Sequence, residues 1–256
     1  MVKRLNVSLC LSLLSAVLVF SACKKDKSPT PDPVVSDKLE IRVFPMYGTD
    51  SLYLDSTYQT AEGYDIQFTD IKFFAGNWKN GSNLLTEADL FDYRETGKRF
   101  IVKAMKPDGF SALQGYLGVA PDKNHLDPTA FSNDDPLNIV NAGGMHWGWN
   151  PGYIFIKVEL RADTIPDGVA LFDHYGVIHV GTDAFLQTLD FPTVTWQKAG
   201  DNFYRSGMKL DLKQFLSNGT QSIDLKTEHT THSGAGQEAL SQKAISNFKA
   251  SLSFIN

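Results

Sequence analysis

From Tyr153 to Arg161 the chain alternates without a break. Ile154, Ile156, Val158 and Leu160 fall on one side, and Tyr153, Phe155, Lys157, Glu159 and Arg161 on the other. A two-residue period of this kind is that of a strand with one buried face. The tract is entered through Gly143-Gly144-Met145-His146-Trp147-Gly148-Trp149-Asn150-Pro151-Gly152. Glycines on either side let the backbone turn sharply and hold large rings at the mouth of the strand. Two indoles and an imidazole in such a place form either a core corner or a ligand site, and the residues alone leave both open.

The same period recurs along the chain. Leu39, Ile41 and Val43 alternate with Glu40, Arg42 and Phe44 before Pro45 ends the strand. Residues 51–55, 90–93, 100–105, 110–119, 176–182, 194–196 and 207–212 read as further strands. Between Tyr64 and Phe74 the apolar set runs through Ile66 and Phe68 and then changes phase near Ile71, the mark of a bulge or bend. Residues 122–141 are rich in Asp, Asn and Pro and read as a long irregular connection, a kind of segment that tends to carry function. Helical spacing is confined to the C-terminal region, at Leu240, Ala244 and Phe248, with a closing strand over 251–255. The expected fold is all-β: a two-sheet antiparallel sandwich with long loops and one short C-terminal helix, in a single domain over 38–256.

The N-terminal region is a different kind of sequence. Lys3 and Arg4 precede an apolar run over 9–20 that ends in Ser21, Ala22 and Cys23, the order of an export signal. The run is too short for a stable membrane span. Phe20-Ser21-Ala22-Cys23 resembles the lipobox of bacterial lipoproteins, so residues 1–22 read as a signal peptide and Cys23 as the lipidation site. Residues 23–37, charged and proline-rich, read as a tether to an outer membrane, facing the periplasm or the cell surface. Of the two cysteines, Cys10 would be removed and Cys23 acylated. The mature domain then has neither a disulfide nor a thiolate metal site. Loss of Lys3 and Arg4 from 24 basic residues leaves 22 against 29 acidic ones, a net of −7. That acidity argues against nucleic acid, whose phosphates require clustered Lys and Arg.

No Gly-x-Ser-x-Gly, phosphate loop or paired-His helix motif occurs, so the expectation is a protein that is not an enzyme, with no catalytic residue. His229-Thr230-Thr231-His232 has the spacing of a helical metal clasp, but Thr-Thr is poor helix filler and the surroundings read as loop. His125 and His174 sit in polar loops and read as solvated, and Asp70, Asp134 and Asp135 as turn or cap acids.

Several spaced pieces together resemble the MbnP-like copper-binding domain family of bacterial envelope proteins. They are the stretch from Tyr64 to Phe74, Gly115-Tyr116-Leu117-Gly118-Val119-Ala120, Met145-His146-Trp147-Gly148-Trp149-Asn150-Pro151-Gly152-Tyr153, Ile178-His179-Val180-Gly181 and Ile245-Ser246-Asn247-Phe248. The chain departs from the family in carrying Leu160 where a glycine usually follows the strand's glutamate. The resemblance implies a β-sandwich that binds Cu(I) or Cu(II) through histidines, for storage or handling of the metal. In some members a tryptophan oxidised to kynurenine takes part, and a di-haem peroxidase-like partner performs the oxidation. Carried onto this chain, it makes His146 and His179 the candidate imidazole ligands, and Trp147 or Trp149 the ring to be modified. Met145, or a carbonyl made by ring oxidation, would complete an otherwise undersaturated site. Imidazole suits copper, which heads the affinity series of divalent first-row metals.

The rival expectation is a carbohydrate- or protein-binding surface lipoprotein. It requires Trp78, Trp147, Trp149 and Tyr153 to stand exposed in a row on which sugar rings can stack.

Overall fold

The computed structural model describes residues 36–95, 101–148, 150–165 and 167–255. The expected signal peptide over 1–22, the expected lipidation site Cys23, the expected tether up to residue 35 and Trp149 lie outside the described residues.

Among the described residues fifteen strands follow one another with little helix between them. The first seven are β1 (Lys38–Tyr47), β2 (Asp50–Ser51), β3 (Thr57–Gln59), β4 (Asp65–Asn80), β5 (Asn83–Asp92), β6 (Ile101–Lys103) and β7 (Leu113–Leu117). A single helical turn, α1 (Pro121–Asn124), opens the long connection to β8 (His146–Gly148) and β9 (Gly152–Asp163). Next come β10 (His174–Gly181), β11 (Gln187–Phe191), β12 (Gln197–Gly200), β13 (Phe203–Asp211) and the short helix α2 (Leu212–Leu216). β14 (Thr230–Thr231), α3 (Glu238–Ser251) and β15 (Leu252–Ile255) close the chain.

The strands form two sheets, as expected. The smaller runs β12-β13-β1-β2, with β6 on β1 and β15 on β13. The larger runs β11-β7-β4-β9-β10-β14, with β3 and β5 on β4 and β8 on β9. Most pairings are antiparallel, but β1–β13 and β10–β14 are parallel. Parallel neighbours need a long crossover, and here the crossovers carry other strands and α2. Leu39 and Ile41 from β1 and Met208 and Leu210 from β13 share one core with Ile66, Phe68, Ile156 and Val158 of the larger sheet. α3 extends that core, with the Phe248 ring 5.4 Å from Phe73 and 5.8 Å from Phe215.

The phase change in β4 is a bulge, since its register against β9 slips between Phe68 and Asp70. Ile66 and Phe68 face the core before the bulge, and Ile71, Phe73 and Ala75 after it. The extra residue therefore keeps the apolar side chains inside and puts Asp70 and Lys72 beside Lys157 on the other face of the sheet. A second apolar cluster gathers Phe74, Tyr153 and Phe155 with Leu137, Ala142 and Met145 of the long connection. The connection is thus packed down on the sheet. The Tyr153 hydroxyl donates to Leu137 O, and buried Asn124 accepts from Tyr153 N at 2.9 Å.

Candidate metal centre

Six histidines occur in the chain, and the structure sorts them by strand pairing. His179 lies on β10 opposite Lys157 of β9. Its side chain is 12% exposed, and its Nε2 sits 2.9 Å from Glu159 Oε1. The His232 ring stands edge-on to it, with centroids 5.0 Å apart. His232 is itself exposed, so the pair has one buried and one open imidazole. Its position is set by β14, which runs parallel to β10 with Ile178 opposite Thr231. The buried Thr231 and Ser241 hydroxyls are hydrogen-bonded at 2.7 Å, tying β14 to α3, and Gln237 Oε1 accepts from His232 N at 2.9 Å.

The same pairing brings His229 to His174, with centroids 5.6 Å apart. His229 and His232 therefore do not clasp a metal together: a two-residue strand separates them and sends each to a different partner on β10. The spacing was legible in sequence. The partners were not, because a strand of two residues has no periodicity to read.

His146 is placed elsewhere. It lies on β8 opposite Tyr153, and the two rings are edge-on with centroids 4.7 Å apart. Its buried Nε2 has no hydrogen-bond partner. Burial pushes its pKa below the usual imidazole range, against a weaker opposing pull from Asp127. Among the described residues no ring contact, hydrogen bond or ion pair joins His146 to His179. Their partners on β9, Tyr153 and Lys157, are four residues apart, or about 13 Å along a strand. Met145 is fully buried in the second apolar cluster. His125 is bound to Asp183 at 3.0 Å rather than simply solvated.

The Trp147 ring lies against Gly181 of β10. A Cβ added to Gly181 would lie 2.8 Å from the Trp147 ring and 2.4 Å from Tyr153 O, so only glycine leaves room for the indole against β10. Gly181 is two residues beyond His179, about 7 Å along the strand. Gly181 N also donates to Ser233 Oγ at 3.2 Å, beside His232. His179 and His232 thus face each other at one end of β10, and Trp147 packs against Gly181 of the same strand. The row of exposed aromatics needed for sugar stacking is not formed by Trp78 and Tyr153. Trp78 is 1% exposed and faces the core with its indole N–H on Tyr116 O, and Tyr153 is fully buried.

Behind His179 runs a chain of charges. Lys157 Nζ lies 3.1 Å from both Glu159 Oε1 and Asp70 Oδ2. Lys72 Nζ is 3.7 Å from the same Asp70 oxygen, 2.9 Å from Asp92 Oδ2, and donates to Gly143 O at 3.0 Å. Burial disfavours the charge on Glu159, but hydrogen bonds from Lys157 and His179 outweigh it and hold the carboxyl below its usual range. Burial, joined by the nearby Lys157 and His232, holds the His179 pKa below the usual imidazole range despite the adjacent Glu159 carboxylate, and so favours the neutral ring. A neutral imidazole is the form a metal requires.

The donors match copper in kind but are few. Among the described residues no group of three or more His, Cys, Asp or Glu side chains is placed to hold a metal ion. Two facing imidazoles, one of them solvent-accessible, suit a borderline-soft ion such as copper better than calcium or magnesium, which take oxygen donors.

A search of the curated proteins returned no match. Among solved structures, MbnP from Methylosinus trichosporium matches with a TM-score of 0.52 at 14% identity, covering 78% of this chain and 83% of that one. At that identity the likeness is one of fold. The family model described as MbnP matches residues 36–234, which span β1 to β14 and include both His179 and His232. The chain belongs to the MbnP family.

Proposed function

We propose that this chain is a copper-binding protein of the bacterial envelope, not an enzyme, and that the metal is held at the end of β10 by His179 and His232. Family membership points to a copper-related, extracytoplasmic role, and the observation that carries the assignment of residues is the facing imidazole pair, 5.0 Å between ring centroids. Two imidazole nitrogens on one ion, each about 2.0 Å from it, put their rings at about this separation. When bound, copper would supply the centre's soft Lewis acidity. The chain's own residues orient the rings, hold the His179 ring toward its neutral form and leave one side open. Trp147, packed against Gly181 of β10, is the indole we assign to oxidation by a di-haem peroxidase-like partner, which would make its carbonyl a third donor. The signal sequence and Cys23 are read as delivering the domain to a membrane, with the lipid as anchor.

The test is copper titration of the mature protein against a chelator of known affinity. His179→Ala and His232→Ala are each expected to weaken binding at least ~10-fold, with unchanged circular dichroism. Wild-type affinity in both variants overturns the assignment. Mass spectrometry of native material addresses the indole: a gain of about 4 Da on the peptide carrying Trp147 is the expected mark of kynurenine, and an unmodified peptide overturns that part.

A further inference from the structure

A neutral imidazole offers a metal only one nitrogen, and which one is decided by the hydrogen bond the other makes. At His179 that decision is visible. Nε2 is 2.9 Å from Glu159 Oε1, while among the described residues Nδ1 makes no hydrogen bond. A carboxylate accepts and does not donate, so this contact requires the proton on Nε2. Lys157 Nζ, 3.1 Å from the same oxygen, fixes where that oxygen lies.

We propose that Glu159 is a positioning residue that locks His179 in its Nε2–H tautomer, so that Nδ1 is the atom presented to the ion. The inference rests on the copper reading above and adds to it the ligating atom and the residue that selects it.

Glu159 cannot drift, because it is the end of a braced row. Asp92, Lys72, Asp70, Lys157 and Glu159 alternate in charge across β5, β4 and β9, each within 3.7 Å of the next. The β4 bulge is what puts Asp70 and Lys72 into this row. Three carboxylates face two ammonium groups in it, so one negative charge remains on the row whose last member touches the imidazole. Asp70 Oδ1, buried and without a hydrogen-bond partner, is consistent with that surplus. A cation brought to the other side of the ring meets the excess through the imidazole. Glu159 therefore acts twice, through the tautomer and through charge, and two substitutions separate the effects. Glu159→Gln keeps an acceptor oxygen and removes the charge. Glu159→Leu removes both.

The experiment reads the histidine ring nitrogens of 15N-labelled, metal-free mature protein by NMR, and then measures copper affinity in the same samples. Wild type and Glu159→Gln are expected to show His179 protonated at Nε2 only. Glu159→Leu is expected to show a mixture with Nδ1–H. Copper affinity should fall ~10- to 100-fold in Glu159→Leu and by a smaller factor in Glu159→Gln. A wild-type ring protonated at Nδ1 overturns the proposal. So does a Glu159→Leu protein with either an unchanged tautomer or unchanged affinity. His179→Ala is run alongside. If it binds copper like wild type, the copper reading itself fails, whereas the tautomer, read without metal, is decided on its own.

Discussion

His146 illustrates how little a residue's neighbours in sequence say about its surroundings. It sits among two tryptophans and a methionine in the chain, and in the fold its ring faces Tyr153 with a buried, unpartnered Nε2. An imidazole held neutral by burial has a folded-state pKa below its unfolded value of about 6.5. The unfolded chain then binds more protons as pH falls below that value, so stability is complete above it and declines on acidification. Urea midpoints measured from pH 7.5 to pH 5.5 should fall less steeply in His146→Gln than in wild type, and parallel slopes would contradict this account of the ring. Gly152 makes a second case. Its φ is 76°, and a Cβ there would lie 2.5 Å from Asn124 O and Oδ1. Gly152→Ala should destabilise the protein by about 2–4 kcal/mol in urea unfolding, through strain and the displaced Asn124. A change under 0.5 kcal/mol would contradict the close packing of α1 on β9.

At the level of elements, the alternation in β9, the bulge in β4 and the helix carrying Ala244 and Phe248 could all be read from the residues, because each is a local period set against one core. Boundaries were less legible. The strand expected over 194–196 lies at Gln197–Gly200, and the one over 51–55 shrinks to Asp50–Ser51. What no local pattern encodes is β14. Two threonines become a strand only because β10 offers an unpaired edge and α3 holds Thr231 from behind. That pairing brings His232 to His179 across more than fifty residues, so half of the proposed centre was out of reach of any reading based on spacing. Thr231→Ala removes the hydroxyl bound to Ser241, a loss of about 1 kcal/mol in stability. Its copper affinity should fall more than its unfolding midpoint suggests, because His232 loses its fixed position. An affinity equal to wild type would mean that β14 does not set the centre.

Across the whole molecule, the division of labour follows the two faces of the larger sheet. One face meets the smaller sheet in a core to which Phe248 belongs, and Phe248→Ala should cost about 3–5 kcal/mol in stability. The opposite face carries the row of charges, the second apolar cluster under the long connection, and the end of β10 where His179 and His232 face each other. Copper, if it binds as proposed, therefore sits at the rim of a rigid scaffold, served by one buried and one exposed imidazole. The most direct measurement is anomalous scattering at the copper edge from crystals of the loaded protein. The account predicts a peak between His179 and His232, nearest His179 Nδ1. A peak beside His146 and Met145 instead, or none at either place in protein that binds copper stoichiometrically, would contradict it.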